Sequence, residues 1–132
     1  MNTADKETII NITREMALAQ SADEIMKHWA EDVDWFDITA HHLKGYDEVH
    51  AEFSKQFSKL SSCGAEITDI NCKVCGDLGY VTTTQDFWAI FKANNERIEM
   101  KTRQTDCYEK RNCEWKLIHQ HVSLCLEEMT KS

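Results

Sequence analysis

The sequence predicts one α+β domain in which helices cover one face of a curved antiparallel sheet. Apolar residues recur at helical spacing in the part of the chain before Gly64. After Gly64 the pattern changes to that of strands, and short polar turns separate long runs. Helices followed by a meander of strands are typical of the α+β class, and no repeat or linker divides residues 1–132.

Two helices are predicted near the N-terminus. Residues 5–20 form the first, because one apolar stripe runs along it: Ile9, Ile12, Met16 and Ala19. Ser21 and Glu24 match a capping box, with Ser21 as N-cap, and start a second, short helix. The apolar residues of this second helix are Ile25, Met26 and Trp29. We expect all of these positions to be core.

A first strand and a third helix follow. Residues 33–38 are rich in strand-forming side chains, which predicts the strand. A loop over residues 41–45 leads to a helix that begins at about Tyr46, and Gly64 is placed to end it. The apolar stripe of this helix is Val49, Phe53, Phe57 and Leu60.

Strands fill the rest of the chain. They are predicted at residues 65–75, 78–92, 96–110 and Glu114–Leu124. Short polar turns of the hairpin type join them: Gly76-Asp77, Asn94-Asn95 and Asn112-Cys113. Because such short turns connect neighbouring strands, we expect an antiparallel meander.

Composition and charge argue against several classes of protein. The chain has 15 basic and 23 acidic residues and a net charge of −8, which argues against binding nucleic acid or an anionic membrane. No apolar run approaches the ~20 residues of a membrane span, and no signal-peptide pattern is found near Met1. Six cysteines without an export signal indicate reduced thiols, so we expect a cytoplasmic protein.

Cys72 and Cys75 have the spacing of a metal or redox motif. A structural zinc site needs four ligands, however, and the sequence has no second pair of this kind. A redox pair would need a helix N-terminus to lower the thiol pKa, whereas these two residues lie in a predicted strand. The acidic residues between Glu31 and Asp37 are interpreted as a solvated face. We therefore expect no metal and no cofactor.

The last strand carries the most distinctive polar residues. Alternate side chains of a strand point to opposite faces. One face carries Trp115, Leu117, His119, His121 and Ser123. The other carries Lys116, Ile118, Gln120 and Val122. We expect the histidine face to line a partly polar cavity. In the alternative register, which a one-residue bulge would produce, Ile118 and Val122 face inward and both histidines face outward.

Side chains suited to acid–base chemistry accompany these histidines. His119 and His121 are candidate acids or bases because an imidazole titrates near neutral pH. Arg103 is a candidate to bind a carboxylate or an oxyanion, and Asp37 or Asp86 is a candidate carboxylate base. From these we select His121, Asp37 and Arg103 as the catalytic candidates.

A larger set of residues is predicted to contact a ligand. It consists of Trp35, Tyr80, Trp88, Arg103, Trp115, His119 and His121. Each also has an ordinary structural interpretation, as a core tryptophan, a surface ion pair or a hydrogen-bonded histidine. The two histidines could instead chelate a metal if His41, His42 or Asp37 supplied a third ligand, but the spacing does not require it.

Four segments resemble a known family. They are residues 44–49 (KGYDEV), 76–81 (GDLGYV), 103–106 (RQTD) and 115–123 (WKLIHQHVS). Together they resemble the SnoaL-like branch of the NTF2-like (ketosteroid-isomerase-like) superfamily over nearly the whole chain. The last segment is also similar to the association domain of calcium/calmodulin-dependent kinase II, a non-catalytic assembly module. The resemblance implies a cone of three helices and a curved sheet, a small-molecule pocket at its open end, and a homodimer.

The sequence departs from the family pattern at several positions. The family usually has glycine where this chain has Cys113, and often has proline shortly after the position of Ser123. Ketosteroid isomerases use a tyrosine and a protonated aspartate beside an aspartate base. No tyrosine lies in the first predicted helix here. Limonene-epoxide-hydrolase-type enzymes have an Arg-x-Asp step, whereas Asp106 falls on the strand face opposite Arg103. Neither mechanism transfers to this chain.

Two functional hypotheses remain open. The protein is either a lyase- or isomerase-type enzyme acting on a small carbonyl or carboxylate compound, or a non-catalytic ligand-binding or assembly module. Convergence of His119, His121, Arg103 and Asp37 in one pocket would favour the enzyme, and their dispersal would favour the module.

Overall fold

The computed structural model describes residues 3–39 and 41–129, the last two by their backbone alone. Its helices and strands, in chain order, are α1 (Thr3–Ala17), α2 (Ala22–Ile25), β1 (Trp29–Phe36), β2 (Leu43–Lys44), α3 (Tyr46–Ser58), β3 (Leu60–Cys75), β4 (Leu78–Phe91), β5 (Arg97–Arg111), β6 (Glu114–Leu124) and α4 (Leu126–Met129). No helix among these is long and apolar enough to cross a membrane.

The described strands form one sheet in the order β2-β1-β6-β5-β4-β3. The strands β3 to β6 pair as an antiparallel meander, which confirms the prediction for this part of the chain. One pair departs from it, because β1 and β6 are parallel. These two strands are far apart in sequence, and the long connection between them lets β6 enter beside β1 in the same direction. The predicted α+β class is confirmed.

The helices pack their apolar stripes against the inner face of the sheet. The buried residues of α1 and α3 are Ile9, Ile12, Thr13, Met16, Val49 and Phe53. Trp35 of β1 is fully buried beneath them, and its ring centroid lies 4.5 Å from that of Phe53. These contacts make one apolar core between the helices and the sheet.

The capping box at α2 is confirmed with one shift in partner. Ser21 Oγ accepts a hydrogen bond from the Glu24 amide at 3.1 Å, as expected for an N-cap. The Glu24 side chain reaches back one residue further than predicted, and its Oε1 accepts from the Gln20 amide at 3.2 Å. Both bonds satisfy backbone donors at the start of this short helix.

Two predicted boundaries are wrong. Trp29 begins β1 rather than ending the second helix. The third helix ends at Ser58, and Gly64 lies inside β3 instead of ending the helix. Glycine serves there because a Cβ atom would lie 3.1 Å from the Trp88 ring of the neighbouring strand.

The turn between β5 and β6 forms where it was predicted, although it lacks glycine. Asn112 and Cys113 have φ angles of 50° and 65°. This left-handed conformation is the one that two-residue hairpin turns require, and it costs a residue other than glycine roughly 1 kcal/mol. The two-residue hairpin turn therefore forms even though Cys113 stands where the family usually has glycine.

A bulge in β6 decides which side chains face the helices. Cys107 pairs with His119 and Tyr108 with Leu117, so that Ile118 is the extra residue between them. Trp115 and Leu117 point inward before the bulge, and Gln120 and Val122 point inward after it. The prediction that His119 and His121 share the inward face is wrong, because one extra residue exchanges the two faces.

Candidate functional site

A cavity of about 510 Å³ lies between the helices and the inner face of the sheet. Its wall is mainly apolar. Its aromatic and aliphatic side chains include Phe53, Phe57, Phe87, Phe91, Ile98 and Met100. The helix stripes therefore leave one end of the inner face uncovered, and this volume is in the range of small-molecule sites.

Neutral polar side chains line one part of this cavity. We call them the cavity floor: Gln85, Thr102, Gln104 and Gln120. Gln85 Nε2 donates to Thr83 Oγ1 at 2.8 Å, and Thr102 Oγ1 donates to the Gln85 carbonyl at 3.5 Å. The floor thus offers amide and hydroxyl groups within an apolar wall.

Asp106 lies behind the floor and is fully buried. Its Oδ2 accepts from Gln104 Nε2 and its Oδ1 accepts from Gln120 Nε2, each at 2.9 Å. Burial raises the pKa of this carboxyl to about 6, because the two amide hydrogen bonds only partly offset the loss of solvent. Gln120 is held from its other end as well, since Trp35 Nε1 donates to Gln120 Oε1 at 3.0 Å.

Tyr108 continues this buried polar row toward α1. Its hydroxyl lies 3.1 Å from Thr13 Oγ1, which in turn donates to the Ile9 carbonyl at 2.9 Å. Burial raises the pKa of Tyr108 well above its usual value, and the neighbouring Asp106 carboxylate adds to this rise. The tyrosine is therefore a neutral structural group at physiological pH.

Asp37 is the predicted catalytic residue that does line the cavity. It follows β1 and lies at the side of the cavity near α3. Its Oδ2 accepts from Thr39 Oγ1 and from Gln56 Nε2, both at 3.0 Å. Among the described residues, none donates to its Oδ1, so one carboxylate oxygen is free to meet a ligand.

His119, His121 and Arg103 lie on the outer face of the sheet, outside the cavity lining. Arg103 Nη2 donates to the Leu124 carbonyl at 3.2 Å, and its strand neighbours on this face are Thr84 and Ser123. The structure therefore does not bring these three residues together with Asp37.

The histidines instead form a small surface group around Phe36. His119 Nδ1 lies 3.1 Å from Asp34 Oδ2, and His42 Nε2 bonds the other oxygen of the same carboxylate. The rings of His42, His119 and His121 lie 4.2, 5.5 and 5.2 Å from that of Phe36. Burial opposes ionisation of Asp34, but the two histidines outweigh it and lower its pKa. This arrangement is a solvated group in which two histidines contact one carboxylate.

The predicted aromatic contacts divide between the two faces. Trp35 lines the cavity, whereas Tyr80 and Trp88 lie on the outer face of β4. Arg97 stacks over Trp88 at 4.8 Å, and Asp86 beside it pairs with Lys101 at 2.7 Å.

Trp115 faces inward as predicted, but it lies outside the cavity lining. Its Nε1 donates to Asp5 Oδ1 at 3.0 Å, and Lys110 lies over its ring. Its role in the structure is to close the sheet against the start of α1.

Sequence reasoning missed Gln85, Gln104, Gln120 and Asp106. The alternation of residue types along β5 indicates that two of them, Gln104 and Asp106, face inward. On β5 the even positions from Ile98 to Tyr108 are apolar or neutral except Asp106, and the odd positions from Arg97 to Arg103 are charged. Such a pattern assigns Gln104 and Asp106 to the inner face.

The cysteines and acidic residues form no metal cluster in the part of the chain that is described. All six cysteines are free, with Cys72 buried on the inner face of β3 and Cys75 exposed at its end. Burial raises the pKa of the Cys63, Cys72 and Cys107 thiols. These thiols are accordingly protonated at neutral pH.

Comparison with solved structures identifies the fold as NTF2-like. A nuclear transport factor 2 (NTF2-like) superfamily protein from Salmonella enterica matches with a TM-score of 0.84 and 16% identity over 94% of this chain and 93% of that chain. A proposed dehydratase of the NTF2-like family from Streptomyces avermitilis matches with a TM-score of 0.84 and 16% identity over 96% and 99%. A proposed calcium/calmodulin-dependent protein kinase II association domain from Xanthomonas campestris matches with a TM-score of 0.78 and 19% identity over 93% and 87%.

Residues 7–127 match the family model of the SnoaL-like domain. The chain therefore belongs to the SnoaL-like domain family, which confirms the family inferred from its motifs. Comparison with curated protein sequences gives no match. Likeness at such low identity establishes the fold, so any activity has to be argued from the cavity itself.

Proposed function

We propose that this protein binds a small, largely apolar organic molecule in the cavity between its helices and its sheet. The observation that carries the proposal is the combination of a mainly apolar wall with neutral amide and hydroxyl groups on the cavity floor. The apolar wall supplies affinity by removing ligand surface from water, at about 25 cal/mol for each Å² buried. The floor supplies orientation, because its amides and hydroxyls bond the polar end of a ligand.

Binding without chemistry is favoured by the dispersal of the predicted catalytic residues. His119, His121 and Arg103 lie on the outer face, and Asp37 lines the cavity. This dispersal supports the non-catalytic hypothesis, in which the domain holds a ligand or assembles with a second copy. A homodimer and a cytoplasmic location, the latter resting on six unpaired cysteines, are part of this proposal.

Filling the cavity tests the proposal. Ala65 lines the cavity and its side chain is small, so Ala65→Phe should occupy part of the volume. We expect 2-naphthol, a neutral bicyclic probe, to bind the unchanged protein and to bind this variant at least about tenfold more weakly in calorimetric titration. Asn71→Phe, on an exposed position of the same strand, is the matched control and should bind as the unchanged protein does. Equal binding by both variants would contradict a ligand site in this cavity.

Proton abstraction by Asp37 is a second candidate function. The free Oδ1 of this cavity-lining carboxylate is the observation that favours it, because a general base needs an uncommitted lone pair within reach of the substrate. If the site acts on carbonyl compounds, the protein should catalyse deuterium exchange beside the carbonyl of 2-decalone in D₂O. Asp37→Asn should abolish that exchange while preserving binding, as followed by NMR. Exchange that survived in this variant would remove Asp37 from the role.

A further inference from the structure

The floor of the cavity has a fixed hydrogen-bond polarity. A carboxylate only accepts hydrogen bonds, so the amides that meet Asp106 must present their Nε2 atoms to it. Gln104 and Gln120 both do so, one on each carboxylate oxygen. Trp35 Nε1 only donates, so it fixes Gln120 Oε1 from the opposite side. The orientation of both amides thus follows from the chemistry of their partners.

Amide oxygens are left facing the cavity. Within the described residues, every fully buried side-chain nitrogen or oxygen has a hydrogen-bond partner. The Oε1 atoms of Gln104 and Gln85 accept from no described residue, so neither atom is fully buried. Both residues line the cavity. Because these two oxygens are not fully buried, we place them at the surface of the cavity.

From this arrangement we infer that Asp106, itself held by Gln120, positions Gln104 so that the floor presents a hydrogen-bond acceptor and selects an uncharged ligand bearing a hydroxyl or N–H group. The inference rests on the proposed function, because it specifies the ligand of the same cavity. A carboxylate group placed against the floor is disfavoured, since it would bring a second negative charge close to Asp106 in an apolar surrounding. Asp106 is a positioning residue, and the amides make the contact.

Three probes of the same ring system separate these possibilities. 2-Naphthol can donate a hydrogen bond, 2-methoxynaphthalene can only accept one, and 2-naphthoate is charged. We expect 2-naphthol to bind at least about fivefold more tightly than 2-methoxynaphthalene at pH about 7.5, the effect of one added hydrogen bond, and 2-naphthoate to bind most weakly. Calorimetric titration measures all three dissociation constants.

Asp106→Asn reverses the polarity of one floor amide. The new Nδ2 group donates, so one glutamine must turn its oxygen toward it. Gln120 is held by Trp35, and Gln104 is therefore the one that turns. We expect the preference for 2-naphthol over 2-methoxynaphthalene to fall to about one, and the side-chain amide signals of Gln104 to shift in ¹H–¹⁵N NMR spectra.

Two further variants keep the test decisive if Asp106→Asn does not fold. Gln104→Met keeps the shape of the side chain, removes its amide and should also lower the preference. Tyr108→Phe removes a buried hydroxyl two residues from Asp106 on the same face, without touching either amide, and should retain the preference.

The preference should also weaken as pH falls through about 6, where burial has placed the pKa of Asp106, because the protonated carboxyl donates a hydrogen bond as the amide in the Asp106→Asn variant does. Gln120 of β6 bonds Asp106 from another element, and the groups next to its partners are Trp35 of β1, beside Gln120, and Thr13 of α1 and Cys72 of β3, beside Tyr108. Those on its own strand are Gln104, Cys107 and Tyr108. The titratable members of these two sets have raised pKa values and stay neutral over this range.

Equal binding of 2-naphthol and 2-methoxynaphthalene by the unchanged protein would overturn the inference while leaving the proposed function intact. An unchanged preference in folded Asp106→Asn or Gln104→Met would overturn it as well. Failure of all three probes to bind would contradict the proposed function, and this inference would fall with it.

Discussion

The two faces of β5 carry polar groups of opposite character. The outer face presents charged side chains that are exposed or ion-paired: Arg97, Glu99, Lys101 and Arg103. The inner face presents Thr102, Gln104, Asp106 and Tyr108, which are buried or half-buried. Of these four, Asp106 is the one carboxyl group, and both of its oxygens accept amide hydrogen bonds.

The difference follows from the cost of burying charge. An ionised group on the outer face keeps its hydration. A titratable group on the inner face loses its hydration, so it must either be neutral or have all its hydrogen bonds made by the protein. Polar groups that remain inside are therefore those suited to directional recognition of a neutral ligand. The predicted acid–base residues of this chain are mostly on the solvated face, where His119 contacts a carboxylate, His121 a phenyl ring and Arg103 a backbone carbonyl.

The largest expected effect on the free energy of unfolding comes from substitutions on the two sides of the bulge in β6. Leu117 is fully buried and the next residue, Ile118, is half-buried at the extra position. Leu117→Ala should lower the free energy of unfolding by about 2–5 kcal/mol, and Ile118→Ala by roughly 1 kcal/mol or less, in urea unfolding experiments. An equal or larger loss at Ile118 would show that the faces are assigned the wrong way round.

The buried carboxyl of Asp106 should give an unusual pH dependence. Its pKa is 3.8 in the unfolded chain and about 6 in the folded protein, so the folded state binds more protons between these values. The free energy of unfolding should therefore fall as pH rises from about 3 to about 7, by about 3 kcal/mol in total for this group.

Asp106→Asn supplies the control, because it removes this titration and leaves the other carboxyl groups in place. The difference between the two urea-unfolding curves isolates Asp106 from aspartates with lowered pKa values such as Asp34. A difference that stayed constant over this pH range would contradict the raised pKa.

The strand order of the meander could be predicted because its turn residues are local signals. Gly76, Asn95 and Asn112 all adopt the left-handed conformation in the hairpin turns. The start of β1 could not be predicted in the same way, since Trp29 continues the helical spacing of Ile25 and Met26. Parallel pairing of β1 with β6 depends on contacts between distant parts of the chain, which leave no local pattern.

The candidate site was less predictable than the fold for a related reason. Trp115, Leu117, His119 and His121 alternate without interruption, so the residue types do not reveal the bulge at Ile118. A bulge is fixed by pairing with both neighbouring strands, and here β5 and β1 each shift register against β6. Ionisable side chains, the usual sequence signal of a catalytic site, also lie mostly on the outer face, since the floor is built mostly of amides.

The outer face also bears on the proposed homodimer. Tyr80 and Leu78 of β4 are exposed by 38% and 54%, and we expect a second copy to cover part of this face. Light scattering should give about twice the chain mass at micromolar concentration. Tyr80→Glu should weaken the dimer at least about tenfold. Leu18→Glu, on an exposed position of the segment after α1, is the control and should leave the mass unchanged. A stable monomer at that concentration would contradict the proposal.

The smallest expected effect on the free energy of unfolding is that of His121→Ala. This variant also tests most directly which face of β6 lines the cavity. His121 is exposed, and its ring contacts Phe36 on the outer surface. Replacing it should change the free energy of unfolding by no more than about 0.5 kcal/mol, as for other surface substitutions. Binding of 2-naphthol should be unchanged, whereas Gln120→Met, one residue earlier and inward, should weaken it because it removes a floor amide held by Asp106 and Trp35. If His121→Ala weakened binding as much as Gln120→Met, the histidine would have to reach the ligand, and the exchange of faces at Ile118 would be wrong.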